Sequence, residues 1–235
     1  MSRCSKMIKI ILGGIGSGKS LTSVREILYR NSDVVYGNFK VKNCDNFTRL
    51  KYSDVLLKND KEKPEGVNWT FWDEARKKHG GFHIILDEIH NIMHSRRSMS
   101  KENIIISKWV SQIRKVTGEN ENYDLFCISQ AIDRIDVSIR DLAAEIIFCT
   151  KVVHPSKNVW TDVINDKGKI IKKLLPLTLI YTTFFRGTEC VNNFKKWKIL
   201  RAKTYWKRSY FAANNYYKYY DSYEFIKFGD DNEYL

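Results

Sequence analysis

Residues 13–20 read Gly13-Gly14-Ile15-Gly16-Ser17-Gly18-Lys19-Ser20, the pattern GxxxxGK[ST]. An apolar run of strand length, Lys6–Leu12, leads into it, and Lys19–Arg30 follows with helical spacing at Leu21, Val24, Ile27 and Leu28. Glycines at 13, 14, 16 and 18 let the backbone N–H groups turn inward around phosphate oxygens. A helix starting there adds its positive dipole end. In that setting Lys19 would reach the β- and γ-phosphates of a nucleotide, and Ser20 would hold Mg²⁺. The expected nucleotide-binding set is Gly13, Gly14, Ile15, Gly16, Ser17, Gly18, Lys19, Ser20 and Leu21, with ATP and Mg²⁺ as the implied ligands.

A second cluster lies 68 residues after Lys19, where the apolar run Phe82–Leu86 ends in Asp87 and Glu88. Such a run reads as a buried parallel strand, and ligands bind at the C-terminal edge of such sheets. Asp87 is placed to hold Mg²⁺ with Ser20, and Glu88 to act as general base on a water. A third strand, Tyr123–Ile128, ends in Ser129-Gln130 at the same edge, where the Gln130 amide can contact the γ-phosphate or orient the water. His90 and His94 are four residues apart, a spacing that permits a metal, yet no third ligand accompanies them.

These residues need a scaffold of alternating strands and helices. Asp33–Phe39 reads as a strand, 40–70 as a polar loop, Phe71–Lys78 as a short helix, Lys101–Thr117 as a helix, Ser138–Ala144 as a helix and Glu145–Lys151 as a strand. The expected fold is α/β: a P-loop NTPase with a mostly parallel, helix-flanked sheet of the additional-strand catalytic-glutamate plan. After Lys151 the texture changes. Val159–Ile164 and Lys169–Lys173 flank a hairpin turn at 165–168, and Leu177–Phe185 and Cys190–Leu200 both read as strand. The expected organisation is an ATPase core over 1–151 and a basic, β-rich extension with an aromatic tail packed on the core over 152–235.

Composition narrows the function class. The net charge of +13 is uneven: residues 151–208 carry 14 Lys/Arg against 3 Asp/Glu, whereas 1–150 carry 24 against 19. A block of that kind neutralises phosphates and releases counterions, so DNA is the expected partner of 151–208. The richest cluster is Lys195, Lys196, Lys198, Arg201, Lys203, Lys207 and Arg208, interleaved with Trp197, Tyr205 and Trp206. The five scattered cysteines form no CxxC pair and imply reduced thiols in an intracellular setting. There is no signal-peptide pattern, and the most apolar stretch, Leu174–Phe185, is too short to span a bilayer. A cytoplasmic protein without a membrane span of its own is expected.

The stretches GGIGSGKS (13–20), VVYGNF (34–39), DEIH (87–90), SQIRK (111–115), YDLFCISQ (123–130) and IDVSIR (135–140) resemble the zonula occludens toxin-like ATPases over roughly residues 7–150. That family includes filamentous-phage assembly ATPases and is similar to the FtsK–HerA group of DNA-pumping and genome-packaging motors. The tail phrase YYDSYEFI (219–226) resembles the tyrosine-rich endings of viral packaging ATPases. The resemblance implies an ATP-driven DNA-translocating motor of a virus or mobile element that packages a genome as a homo-oligomeric ring beside virion or assembly proteins. It also implies an arginine supplied by a neighbouring subunit, with Arg140 the first choice over Arg114, Arg96 and Arg97. Filamentous-phage relatives usually carry a membrane span after the ATPase domain, and this chain shows none, which favours packaging over the alternative of filamentous-virus assembly and export. A small-molecule kinase has this length and a P-loop but lacks the strand-end Asp-Glu followed by a strand-end Gln. A secreted toxin would need the missing signal.

Overall fold

The structure, a computed structural model, describes residues 8–30, 33–58, 64–92, 100–117, 123–165, 167–200 and 206–220. Its strands are β1 (Ile8–Leu12), β2 (Val34–Gly37), β3 (Phe47–Arg49), β4 (Leu56–Lys58), β5 (Pro64–Val67), β6 (Phe82–Leu86), β7 (Leu125–Ser129), β8 (Ala143–Ile164), β9 (Ile170–Arg186) and β10 (Trp206–Ala212). Its α-helices are α1 (Lys19–Tyr29), α2 (Tyr52–Val55), α3 (Trp69–His79), α4 (Ile89–Ile92), α5 (Lys101–Ser111), α6 (Ile113–Thr117), α7 (Val137–Leu142) and α8 (Cys190–Leu200). The main sheet runs β10-β9-β8-β1-β7-β6-β2-β3, and β4 pairs with β5 in a small antiparallel sheet.

From β8 across to β3 every pairing is parallel, and β9 and β10 are added antiparallel at one edge. β7 lies between β1 and β6, so the glycine-rich turn and the Asp87-Glu88 pair stand one strand apart. This is the expected P-loop NTPase architecture with its additional strand.

The three central strands, IKIIL, FHIIL and LFCIS, are nearly continuous apolar runs because both their faces are covered. Alternation sorts them. Ile10, Leu12, Ile84, Leu86, Leu125 and Cys127 face Trp72 of α3 and Trp109 of α5. Ile11, Ile85, Phe126 and Ile128 face Val24 and Ile27 of α1.

The expected boundary at 151/152 falls inside β8, which runs unbroken from beside β1 into the extension. Beyond Val152, β8 and β9 form a ribbon that pairs with neither β1 nor β10. Three residues, Pro155–Lys157, bulge out of its register, and Pro176, which lacks an N–H to give a ladder, sits opposite Asn158 at that bulge. The tip turn is closed by the Asn165 side chain, whose Oδ1 accepts from the N–H groups of Lys167 and Lys169. A 3-10 turn over Ala213–Tyr216 pins the ribbon: Asn214 accepts from Thr178 N–H and donates to Thr161 Oγ1.

Two sequence expectations need correction. Cys190–Leu200 is helix α8, not strand: Cys190, Val191, Phe194 and Trp197 fall on one helical face and close over Phe148 and Phe185. The 40–70 loop contains β3, α2, β4 and β5. Short elements with few apolar residues leave little periodicity to read. Of the aromatic tail, Phe211, Tyr216, Tyr217, Tyr219 and Tyr220 pack on the α1 side of the core, Tyr210 is exposed on β10, and residues 221–235 lie outside the described residues.

At the sheet edge opposite the glycine-rich turn, charges are buried together. Asp124 accepts from Lys9 and Arg30, both at 2.8 Å. His83, fully buried on β6, accepts the Asp124 N–H at Nδ1, so its neutral ring carries the proton on Nε2, 3.1 Å from Asp33 Oδ2. Burial, reinforced by the adjacent Arg30 guanidinium and opposed by Asp33 and Asp124, lowers the imidazole from 6.5 to about 4. The unfolded chain therefore binds a proton that the folded chain refuses between those values. Stability should be full above pH 6.5 and fall by up to about 3 kcal/mol as pH drops towards 4. Urea denaturation across this range should show that slope in the wild type and lose it in His83→Asn.

Candidate nucleotide-binding and catalytic site

β1 ends at Leu12, and the chain turns over the sheet edge to enter α1 at Lys19. Gly18, at φ 92, is the last residue before the helix, and no side chain caps the helix. Its first N–H groups are thus left for a ligand. A Cβ on Gly18 would meet Ile180 Cδ1 at 2.4 Å, and one on Gly13 would meet the Cys149 carbonyl oxygen at 2.7 Å. Glycine is required at both by close packing against β8 and β9. Gly14, Ile15 and Gly16 form the exposed crest of the turn, Ile15 at 89%. Leu21 packs into the core beneath α1, so it can offer a ligand only its backbone.

Lys19 is 7% exposed and folds back over the turn to donate to the Gly14 carbonyl at 3.0 Å. Ser20 Oγ donates to Asp87 Oδ2 at 2.8 Å, joining the first turn of α1 to the end of β6. Asn38, just past β2, brackets Asp87 from behind: its Oδ1 accepts the Asp87 N–H at 2.6 Å and its Nδ2 donates to the Asp87 carbonyl at 2.8 Å. Burial pushes the Asp87 carboxyl up, while the Ser20 hydroxyl and the Glu88 N–H pull it back.

Glu88 takes a left-handed backbone, φ 50, which turns its side chain away from that of Asp87. Gln130 Nε2 approaches Glu88 Oε1 at 3.5 Å, and Arg134 donates to Gln130 Oε1 at 3.1 Å. His90 Nδ1 is 3.2 Å from Glu88 Oε2 without the alignment of a hydrogen bond, and 3.3 Å from Ser129 Oγ. Lys19, Ser20, Asp87, Glu88 and Gln130 are thereby brought to one edge.

Arg140 is not brought there. It lies in the last turn of α7 near the start of β8, whose Ala143 pairs with Ile8 at the far end of β1, and its Nη1 lies 3.6 Å from Asp133. Arg96, Arg97, His94 and the side chain of Arg114 lie outside the described residues. Asn38 and Arg134 are site neighbours that spacing alone did not single out. Asn38 carried the same signal as Gln130, a polar residue ending a parallel strand.

The donors fit a magnesium nucleotide. Ser17 Oγ and Glu88 Oε2 are buried at the site without a hydrogen-bond partner, as groups awaiting a phosphate and a water would be. Among the described residues no three His, Cys, Asp or Glu converge on a metal. A hydroxyl and one carboxylate, Ser20 and Asp87, suffice for Mg²⁺, which keeps waters and phosphate oxygens as its other ligands. The buried thiols of Cys127 and Cys149 are pushed up to about 12 and about 11, so they stay protonated and inert.

The family profile described as Zonular occludens toxin (Zot) matches residues 7–154. No curated protein matches the chain. Among solved structures, the N-terminal domain of zonular occludens toxin from Neisseria meningitidis is similar at 16% identity and TM-score 0.49, over 88% of this chain and 94% of that one. The genome packaging NTPase B204 of Sulfolobus turreted icosahedral virus 2 is similar at 15% identity and TM-score 0.39, over 61% and 74%. Its complex with AMPPCP is similar at 12% identity and TM-score 0.39, over 63% and 75%.

Asn38→Ala would strand the Asp87 N–H and carbonyl in a dry interior. Loss of about 2–4 kcal/mol is expected from two buried backbone groups left unpaired. Urea denaturation beside the wild type measures it, and a loss below about 0.5 kcal/mol would show that the bracket does not hold Asp87.

Proposed function

The chain belongs to the Zonular occludens toxin (Zot) family, and on that footing we propose that it is an ATP-hydrolysing motor that moves DNA during viral genome packaging. One observation carries the ATPase reading: Ser20 is bonded to Asp87 while the adjacent Glu88 is turned to Gln130 at the same sheet edge. ATP would lie with its phosphates in the 13–20 turn, under the N–H groups of the turn and Lys19. Mg²⁺, held by Ser20 and Asp87, would neutralise charge on the β- and γ-oxygens. Glu88 would take a proton from the attacking water, which Gln130 orients. The metaphosphate-like charge that develops calls for a further cation, and in a homo-oligomeric ring Arg140 of a neighbouring copy would supply it.

The DNA reading rests on charge. The β8–β9 ribbon exposes Lys157, Lys167, Lys169, Lys172 and Lys173 along a span of roughly 30 Å. Exposed Trp160 (72%) and Leu174 lie among them as a cross-strand pair. Lys195, Lys196 and Lys198 ride on α8, while Arg201 and Lys203 lie outside the described residues, as do the side chains of Trp206 and Lys207. Lysine contacts to phosphates carry little sequence information, which suits a motor that accepts any sequence. The core to about residue 151 would do the chemistry, and segment 151–208 would grip double- or single-stranded DNA in the host cytoplasm alongside virion or assembly proteins. Among the described residues no helix is long and apolar enough to cross a membrane. Family membership keeps a second reading open, filamentous-virus assembly and export.

ATP turnover measured with and without double-stranded DNA tests the proposal. Stimulation is expected, together with affinity that falls steeply with salt. Neutralising Lys157, Lys169, Lys172 and Lys173 together should flatten the slope of log affinity against log salt by roughly 3–4 units and leave basal turnover intact. Turnover indifferent to DNA, with an unchanged slope, would reject the DNA motor and leave the export reading.

A further inference from the structure

Lys151 of β8 stands over the glycine-rich turn. Ile147 and Cys149 of β8 face α1, with Cys149 Sγ 3.3 Å from Thr22 Oγ1. Lys151 is next on that face, one pleat higher, where β1 has already ended and the turn begins. A Cβ built on Gly16, at the crest of the turn, would stand 3.8 Å from Lys151 Nζ, which puts the ammonium directly over the loop. The cross-strand partner of Lys151 is Ile180, the residue packed on Gly18. The base of the ribbon therefore holds the turn at two points, one apolar and one charged.

The charged point has no local reason. Among the described residues Lys151 has neither an ion pair nor a hydrogen bond. The turn it overlies is already positive, carrying Lys19 and leading into the N-terminal end of α1. Asp87 is bonded to Ser20 and Glu88 approached by Gln130, so neither answers Lys151. An ammonium held on an electropositive, glycine-crested turn is balanced when an anion fills the turn. A lysine is well suited to that, as a mobile point charge that meets a phosphate from several directions.

We propose that Lys151 is a second phosphate-binding cation, contacting the nucleotide's polyphosphate from the β8 side of the turn opposite Asp87. This rests on the reading of 13–20 as a nucleotide site. It adds that the strand entering the DNA-facing ribbon carries a group that touches the nucleotide. Bound ATP then has a direct contact with β8, two residues from where the ribbon departs from the sheet.

Equilibrium binding of ATP, ADP and AMP to the full chain tests this, comparing wild type with Lys151→Met, Lys151→Arg and Lys19→Ala. Lys151→Met should weaken ATP and ADP by roughly ten-fold or more, the scale of a lost charge-assisted contact, and leave AMP nearly unchanged. Lys151→Arg should recover most of the loss. The melting temperature without nucleotide should not move, because the side chain is exposed; if Lys151→Met fails to fold, Lys151→Gln takes its place. Wild-type ATP affinity in Lys151→Met, or an equal loss for AMP, would overturn the inference, while loss of binding in Lys19→Ala leaves the nucleotide site standing. If Lys19→Ala also binds as wild type, the nucleotide site itself is wrong.

Discussion

The carboxyl of Asp87 is almost wholly removed from water, and much of the site follows from what that requires. A buried carboxylate is costly unless donors or cations surround it. Here the donors are the Ser20 hydroxyl and the Glu88 N–H. The first fixes where α1 must begin, and the second fixes the turn at the end of β6. Both depend on β7 spacing β1 from β6. Asn38, just past β2, then anchors the Asp87 backbone, so the segments that follow β1 and β2 both bond to the residue that ends β6. Magnesium would complete what the hydrogen bonds begin.

That constraint also separates two adjacent acids into different environments. With Asp87 aimed at Ser20, the left-handed backbone of Glu88 carries the second carboxyl to Gln130 and towards His90. A non-glycine residue in this conformation costs on the order of 1 kcal/mol, and such strain is kept where geometry matters more than stability. Under the proposed function the first carboxyl would hold a cation, and the second, whose Oε2 lacks a hydrogen bond, would take a proton from water.

Most of this site was legible in the sequence because its chemistry needs particular residue types at strand ends. Gly13 to Ser20, Asp87-Glu88 and Gln130 each follow an apolar run that can only be a buried strand. What escaped was set by tertiary contact. Arg134 sits beside Gln130 because a 3-10 turn over Ile132–Arg134 follows β7, and no periodicity announces such a turn. Arg140 fits a family phrase, yet its chain position leads to the edge away from its own turn. Cys190–Leu200 reads as strand when taken with the β-rich run before it, while the spacing of Cys190, Phe194 and Trp197 is helical and their burial against Phe148 and Phe185 decides the matter. The sequence marks the ribbon as a hairpin, but the change in composition at Lys151 hides its continuity with β8.

The division between the two acids is most directly tested by Glu88→Gln in single-turnover ATP hydrolysis, with ATP affinity measured on the same protein. Gln keeps the size and polarity of the side chain and removes the base. Mg²⁺-dependent ATP binding should stay close to wild type, and hydrolysis should slow by about 10²–10⁴-fold. Hydrolysis at the wild-type rate in Glu88→Gln, with ATP bound normally, would contradict that division.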